Sequence, residues 1–203
     1  MRRDGYRIPT GGAKGFLARL EAVRLPEHLR LEIQPLLDVM KLLDLQIADA
    51  DKQLARHVAT DPVARRLSTV PGVGPVTAVT FTAVLDTCER FGSAREVRAY
   101  AGLVPREMSS GERQQRGRIT KAGNNQLRSL LVEVAWCVMR TRKAEPLSLQ
   151  QWAQRIAARR GKRIASVALA RKLAGVLYAM WRDSTEFGQP KNPARPPATP
   201  LAA

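Results

Sequence analysis

The stretch Thr60-Asp61-Pro62-Val63-Ala64-Arg65-Arg66-Leu67-Ser68-Thr69-Val70-Pro71-Gly72-Val73-Gly74-Pro75-Val76-Thr77-Ala78 decides the fold class. Thr60 and Asp61 are N-cap residues, and Pro62 follows in the first turn, where a missing amide costs no helical hydrogen bond. A helix is therefore expected from Pro62 to about Val70, stopped by Pro71-Gly72. A second helix should follow Pro75 and carry Thr77, Ala78 and Phe81. Val76 to Leu85 is the nearest thing to a strand in the chain, but the proline start suits a helix better. The expected unit is two short helices joined by a tight, glycine-bearing turn.

Working outward, the same helical grammar continues. Towards the N-terminus, Pro35 is well placed at a helix start. After it Leu36, Met40, Leu43, Ile47, Ala50 and Leu54 recur at spacings of 4, 3, 4, 3 and 4, which is a heptad seam widened by Leu37, Leu42 and Leu45. Two readings stay open: packing on the helix's own domain, or a coiled coil between chains. The first 30 residues read as an irregular entry with a short helix around Phe16 to Val23. Towards the C-terminus, Ser93-Ala94-Arg95-Glu96 is a capping box opening a helix that ends at Gly102. Amphipathic helices are expected around Leu127 to Val138, from Leu147 to Arg160 and from Ile164 to Trp181. The proline-rich tail from Phe187 lacks periodicity and is expected to be disordered. The fold expected is mainly α: a coiled-coil-like connector within residues 1–61, a helical domain over 62–185 and a tail over 186–203.

The 203 residues hold 34 Lys and Arg against 18 Asp and Glu, a net charge of +16. So large an excess points to a polyanionic partner. Over residues 1–66, 67–130 and 131–203 the balance runs +3, +4 and +9, and no acid lies between Glu145 and Asp183. That block holds Arg155, Arg159, Arg160, Lys162, Arg163, Arg171, Lys172 and Arg182, a one-sign set suited to phosphates, or else a merely solvated face. Cys88 and Cys137 stand far apart, with no C-x-x-C pair, which argues against a zinc ribbon or a disulfide framework and fits a reducing cytoplasm. No apolar stretch of about 20 residues is apparent and no signal core follows Met1, so neither a membrane span nor export is expected.

Two segments carry candidate chemistry. At the turn, Gly72, Val73, Gly74 and Thr77 could bring backbone amides and a helix N-terminus to a phosphate. This resembles the helix-hairpin-helix of DNA-binding proteins; a plain interhelical turn is the other reading. Further on, residues 106–125 are polar, glycine-punctuated and too long for a casual loop. Here Ser109 and Ser110 sit among Arg106, Arg113, Arg116, Arg118 and Lys121. Guanidinium groups would hold a phosphodiester in line for a serine hydroxyl and neutralise the charge that develops on its oxygens. An ordinary turn is again the alternative. His28 and His57 lie far from these serines and there is no G-x-S-x-G elbow, which disfavours a hydrolase triad. Only Glu107 and Glu112 are near in sequence, with Asp86 and Glu89 further off, a poor basis for a two-metal nuclease.

Taken together, the 67–78 stretch, Phe91-Gly92-Ser93-Ala94-Arg95, Tyr100-Ala101-Gly102-Leu103-Val104-Pro105-Arg106, Ser109-Ser110-Gly111 and Gly117-Arg118-Ile119-Thr120-Lys121-Ala122-Gly123-Asn124 resemble a known family. They look like the C-terminal transposase domain of the IS-one-ten and IS-one-eleven-eleven insertion-sequence recombinases, the bridge-RNA-guided group. The likeness runs from about Ala64 to Trp136 and continues more weakly to Trp181. It implies a serine nucleophile, Ser110 or Ser109, that forms a transient covalent link to DNA. It also implies a structured guide RNA, and catalytic sites assembled across a homo-oligomer whose coiled coil corresponds to residues 35–58. The family's magnesium is held by three aspartates and a glutamate of an N-terminal RNase-H-like domain. No such domain is expected within this sequence, so no metal is expected on this chain. The function implied is that of a DNA-binding transposase or site-specific recombinase. An inert nucleic-acid-binding remnant and a coiled-coil assembly protein are the alternatives.

Overall fold

A computed structural model describes residues 5–12, 15–110, 113–141 and 148–188, with the backbone alone over 107–116. Among these residues are eight helices and one two-stranded sheet, so the fold is mainly α. Contacts divide the chain into two compact units, 1–53 and 54–203. The expected tail lies, apart from residues 186–188, outside the described residues.

In the first unit, α1 (Phe16–Glu21) leads into α2 (Glu27–Thr60), whose last residues belong to the second unit. Leu17, Leu20, Val23, Leu25, Ile33 and Leu37 line a small apolar nook. At 34 residues, α2 is about 50 Å long at the usual rise per residue. It begins eight residues before Pro35, which therefore lies inside the helix rather than at its start. The ring removes one amide and clashes with the carbonyl four residues back. Pro35 and Leu31 are exposed, so water can take up the freed carbonyl, and strong helix formers continue on both sides. Part of the seam is uncovered: Leu36, Leu43 and Ile47 are 66%, 54% and 58% exposed, while Leu37 faces the nook and Met40 and Leu54 are half-buried.

The second unit is built around α8 (Lys162–Asp183). Leu169, Ala170, Leu173, Ala174 and Leu177 are fully buried against neighbouring helices α3 (Pro62–Leu67), α5 (Ala94–Tyr100), α6 (Asn125–Arg140) and α7 (Ser148–Arg160). The Tyr178 hydroxyl donates to the Phe91 carbonyl, and Phe81 of α4 (Pro75–Leu85) meets Trp181 with ring centroids 6.3 Å apart. Gly175 leaves room for the Arg98 guanidinium, which a Cβ there would meet at 2.2 Å and displace. By length and composition α8 could cross a membrane, contrary to the sequence reading, yet 56% of its apolar window is buried in this core.

Capping follows the sequence closely. Asp61 accepts from the Val63 amide at 2.8 Å and opens α3, which ends at Leu67 rather than near Val70. Ser93 accepts from the Glu96 amide, while the Glu96 carboxylate reaches back to the Gly92 amide at 2.9 Å. Asn124 accepts from the Leu127 amide at 2.8 Å and opens α6. Gln150 of α7 donates to the Thr141 carbonyl at 2.6 Å, tying α7 to the end of α6. The expected start of α7 at Leu147 falls outside the described residues.

The main departure is residues 105–119. The expected long loop is an antiparallel ribbon, β1 (Pro105–Ser110) paired with β2 (Arg113–Ile119). The register sets Pro105 opposite Ile119, Glu107 opposite Arg116, Ser109 opposite Gln114 and Ser110 opposite Arg113, with an irregularity between Pro105 and Glu107. The strand sequences PREMSS and RQQRGRI carry no run of alternating apolar residues to read.

Candidate nucleic-acid interface

Three sequence-predicted surfaces lie in the second unit. The first is the ribbon, which is anchored at its root rather than at its tip. The Thr120 amide donates to the Val104 carbonyl at 2.8 Å, Lys121 to Gly102 at 3.1 Å and Asn124 to Tyr100 at 3.1 Å. Arg128 of α6, which the sequence reading passes over, clamps the same junction. One of its guanidinium nitrogens donates to the Ala101 and Lys121 carbonyls at 3.3 and 3.2 Å, the other to the Asn125 amide oxygen at 2.6 Å. Gly123 is obligatory here: its φ is +135°, and a Cβ would meet the Tyr100 carbonyl oxygen at 2.1 Å. The outcome is a strand pair rooted on α5 and α6, with Ser109 and Ser110 at its far end by register. Arg106, Arg118 and Lys121 are exposed at the root. The side chains of Ser109, Ser110, Arg113 and Arg116, and of Glu107 and Glu112, lie outside the described residues.

The second surface is the turn between α3 and α4. Gly72 has φ +87°, and a Cβ there would press on Val138 of α6 at 3.0 Å, so this turn is seated on the core. That seating changes the expected role of two residues. Val73 is buried and its amide already donates to the Val70 carbonyl at 3.0 Å, while the Thr77 side chain is also buried. Neither Val73 nor the Thr77 hydroxyl is placed for a phosphate. The available donors are backbone amides at the start of α4, where Gly74 caps without a side-chain bond and the first helical bond runs from Ala78 to Gly74.

The third surface is the corner between α7 and α8. Arg155, Arg159, Arg160, Lys162 and Arg163 are all exposed around Gly161, whose φ of +85° makes the sharp turn. No acid lies in the first turn of either helix, so the amides of α8 and the five cations present one sign of charge. Not every basic residue of the block shares this role: Lys172 lies 4.4 Å from the Trp152 ring centroid, and Arg182 pairs with Asp183 at 2.7 Å. The hydrogen bond to Asp183 and the charge of that carboxylate raise the Arg182 pKa further, against the opposing effect of burial, so its charge is permanent. Among the described residues no group of three or more His, Cys, Asp or Glu is placed to hold a metal ion.

Comparison with known proteins closes the question of family. Residues 64–151 match the Transposase IS116/IS110/IS902 family. The chain belongs to that transposase family. Its matched segment starts in α3 and ends in α7, taking in the turn, the ribbon and the Arg128 clamp. The chain is 34% identical over 180 residues to a family 20 transposase of Pseudomonas aeruginosa, which covers 86% of this chain and 53% of that protein. It is 33% identical over 189 residues to the transposase for insertion sequence element IS1328 of Yersinia enterocolitica, 91% of this chain and 56% of the relative. With the transposase for IS1111A of Coxiella burnetii the identity is 32% over 175 residues, 83% and 48% of the two chains. The chain thus spans about half the length of the curated relatives it matches.

Proposed function

We propose that the chain is the DNA-binding, serine-bearing part of an insertion-sequence recombinase acting in the cytoplasm. The observation that carries this reading is the ribbon. A serine pair stands at the end of a strand pair whose root is held by three backbone bonds and the Arg128 clamp, flanked by exposed cations. A rigid mount keeps a reactive group in a fixed geometry. In the step proposed, the hydroxyl oxygen of Ser110, or of Ser109, attacks a DNA phosphorus. A serine–phosphate bond forms, one phosphorus–oxygen bond of the strand breaks, and the departing strand oxygen takes up a proton as the serine loses its own. Exchanging one phosphoester for another keeps the bond energy available for rejoining to a different strand. Arg113 and Arg116, the cations nearest the serines by register, stabilise the charge on the reacting phosphate's oxygens, while Arg106, Arg118 and Lys121 at the root hold neighbouring phosphates of the strand.

The remaining surfaces hold the substrate. Arg159, Arg160, Lys162 and Arg163 meet phosphates, and the Gly72–Gly74 turn with the start of α4 acts as a helix-hairpin-helix grip on the backbone. A structured guide RNA shares this basic surface. The exposed heptad seam of residues 35–58 joins copies of the chain. Magnesium, where the reaction uses it, is held by residues outside those described.

The test is a denaturation-resistant protein–DNA adduct, formed with element-end DNA by the chain supplied with the N-terminal half of a relative. It should appear with the unaltered chain and vanish in Ser110→Ala, or in Ser109→Ala if that hydroxyl reacts. An adduct that survives in the double variant overturns the serine assignment.

A further inference from the structure

The face of α6 turned away from the core carries an unassigned site. Ile119 at the end of β2 and Lys121 just beyond it, with Arg128, Glu133, Trp136 and Arg140 of α6, line an open groove of about 480 Å³. The α6 residues recur at helical spacing on the side opposite Leu127, Leu131, Val134 and Val138, which are buried. Trp136 is partly exposed here, and the Arg140 guanidinium lies 5.3 Å from its ring centroid, which braces the indole. Trp181, equally half-buried, packs against the core beside Phe81, whereas Trp136 lines the groove. This one is a flat apolar surface in a groove with three cations and a single carboxylate.

We propose that this groove binds one unpaired nucleotide of single-stranded DNA, its base stacked on Trp136 and its phosphate on Lys121. The inference rests on the reading of the ribbon as a strand-exchange device. An unpaired base suits the lining better than a duplex does. The indole and guanidinium offer a stacking platform, which a duplex cannot use without opening. Glu133 repels a second phosphate but can accept from an exocyclic amino group. A groove of this size holds a nucleotide-sized ligand. Position supports the same occupant. The groove adjoins Ile119, which pairs with Pro105, and Ser110 lies five residues further along β1, roughly 16 Å away at the usual rise per residue. A strand held on Trp136 would therefore reach the serines within a few nucleotides, so the groove would retain a cut strand while its end is exchanged.

The experiment is fluorescence anisotropy of a labelled deoxycytidine oligonucleotide with the full chain. Trp136→Ala should weaken single-strand binding by about 5- to 100-fold, the cost of one lost stack. Its binding to a duplex of equal length should stay within about twofold, and Trp136→Phe should restore most of the single-strand affinity. Trp152→Ala, a tryptophan outside the groove, should leave the ratio of single-strand to duplex binding unchanged. Equal single-strand binding by Trp136→Ala and the unaltered chain overturns the proposal. So does an equal loss for single strand and duplex, or a tenfold preference for the matching RNA oligonucleotide. Because binding is read without any adduct, failure here leaves the serine assignment standing, and a missing adduct leaves this groove standing.

Discussion

Helices α2 and α8 carry similar apolar content at helical spacing, yet they end in opposite environments. In α8, Leu169, Leu173 and Leu177 have no exposed surface; in α2, Leu31, Leu36 and Leu45 are 68%, 66% and 68% exposed. Periodicity alone does not separate these cases, since an amphipathic stripe states only that a partner is needed. What separates them is the other side chains. Ala170, Ala174 and Gly175 let helices approach α8 closely, and no acid in its first three turns opposes burial beside Arg98. By contrast α2 alternates Leu with Asp38, Lys41, Asp44, Asp49, Asp51 and Lys52, and its Gln34–Asp38 and Gln53–Asp49 bonds satisfy its polar faces within the helix. Helix α8 is the core of a domain; α2 presents a seam whose partner lies in another chain under the proposed assembly.

This difference can be broken or sharpened by substitution. The largest effect is expected in α8, where Leu173→Ala should cost about 2–5 kcal/mol of unfolding free energy in urea, the range for a fully buried leucine. Next comes the ribbon root. Gly123→Ala forces a Cβ into the Tyr100 carbonyl at a strained φ and should cost about 1–3 kcal/mol. Hydrogen exchange at the Lys121 and Asn124 amides should then rise ahead of exchange in α8. Tyr178→Phe should cost about 1–3 kcal/mol near neutral pH, by leaving the Phe91 carbonyl without its donor. Burial raises the Tyr178 pKa above its ordinary value near 10. The unaltered protein should therefore lose stability as pH rises from about 10 through that raised value, and Tyr178→Phe should lack this loss. The smallest effect on folding is expected in α2: Leu43→Asp with Ile47→Asp should stay within about 0.5 kcal/mol. The same pair should shift the sedimentation of the chain towards monomer. A large loss of folding stability there, with no change in mass, would show that α2 is core after all.

Most of the helical framework is legible in the sequence because caps are local chemistry. Asp61 with Pro62, Ser93 with Glu96, and the apolar spacing of α6 each specify an element without reference to the rest of the fold. The ribbon is not legible, since Arg113, Gln114, Gln115 and Arg116 carry no alternation and its pairing is paid for at the root by residues distant in sequence. Pro35 misleads for a related reason: an exposed helix tolerates a proline that a buried one would reject. At the turn, the glycines announce a close approach, but only the fold shows that the Val73 amide is already committed to Val70. The Trp136 groove joins two segments, residues 119–121 and 128–140, whose proximity depends on the Arg128 clamp. No spacing rule links a strand end to the outer face of the next helix.

The most direct measurement of the central claim is the mass of the DNA-linked peptide. Trypsin cuts after Arg106 and Arg113, releasing Glu107-Met108-Ser109-Ser110-Gly111-Glu112-Arg113. An adduct trapped with element-end DNA, digested with trypsin and nuclease, should carry its nucleotide phosphate on this peptide, at one of the two serines. A nucleotide found on any other peptide, or on a peptide of the N-terminal half supplied for complementation, would contradict it.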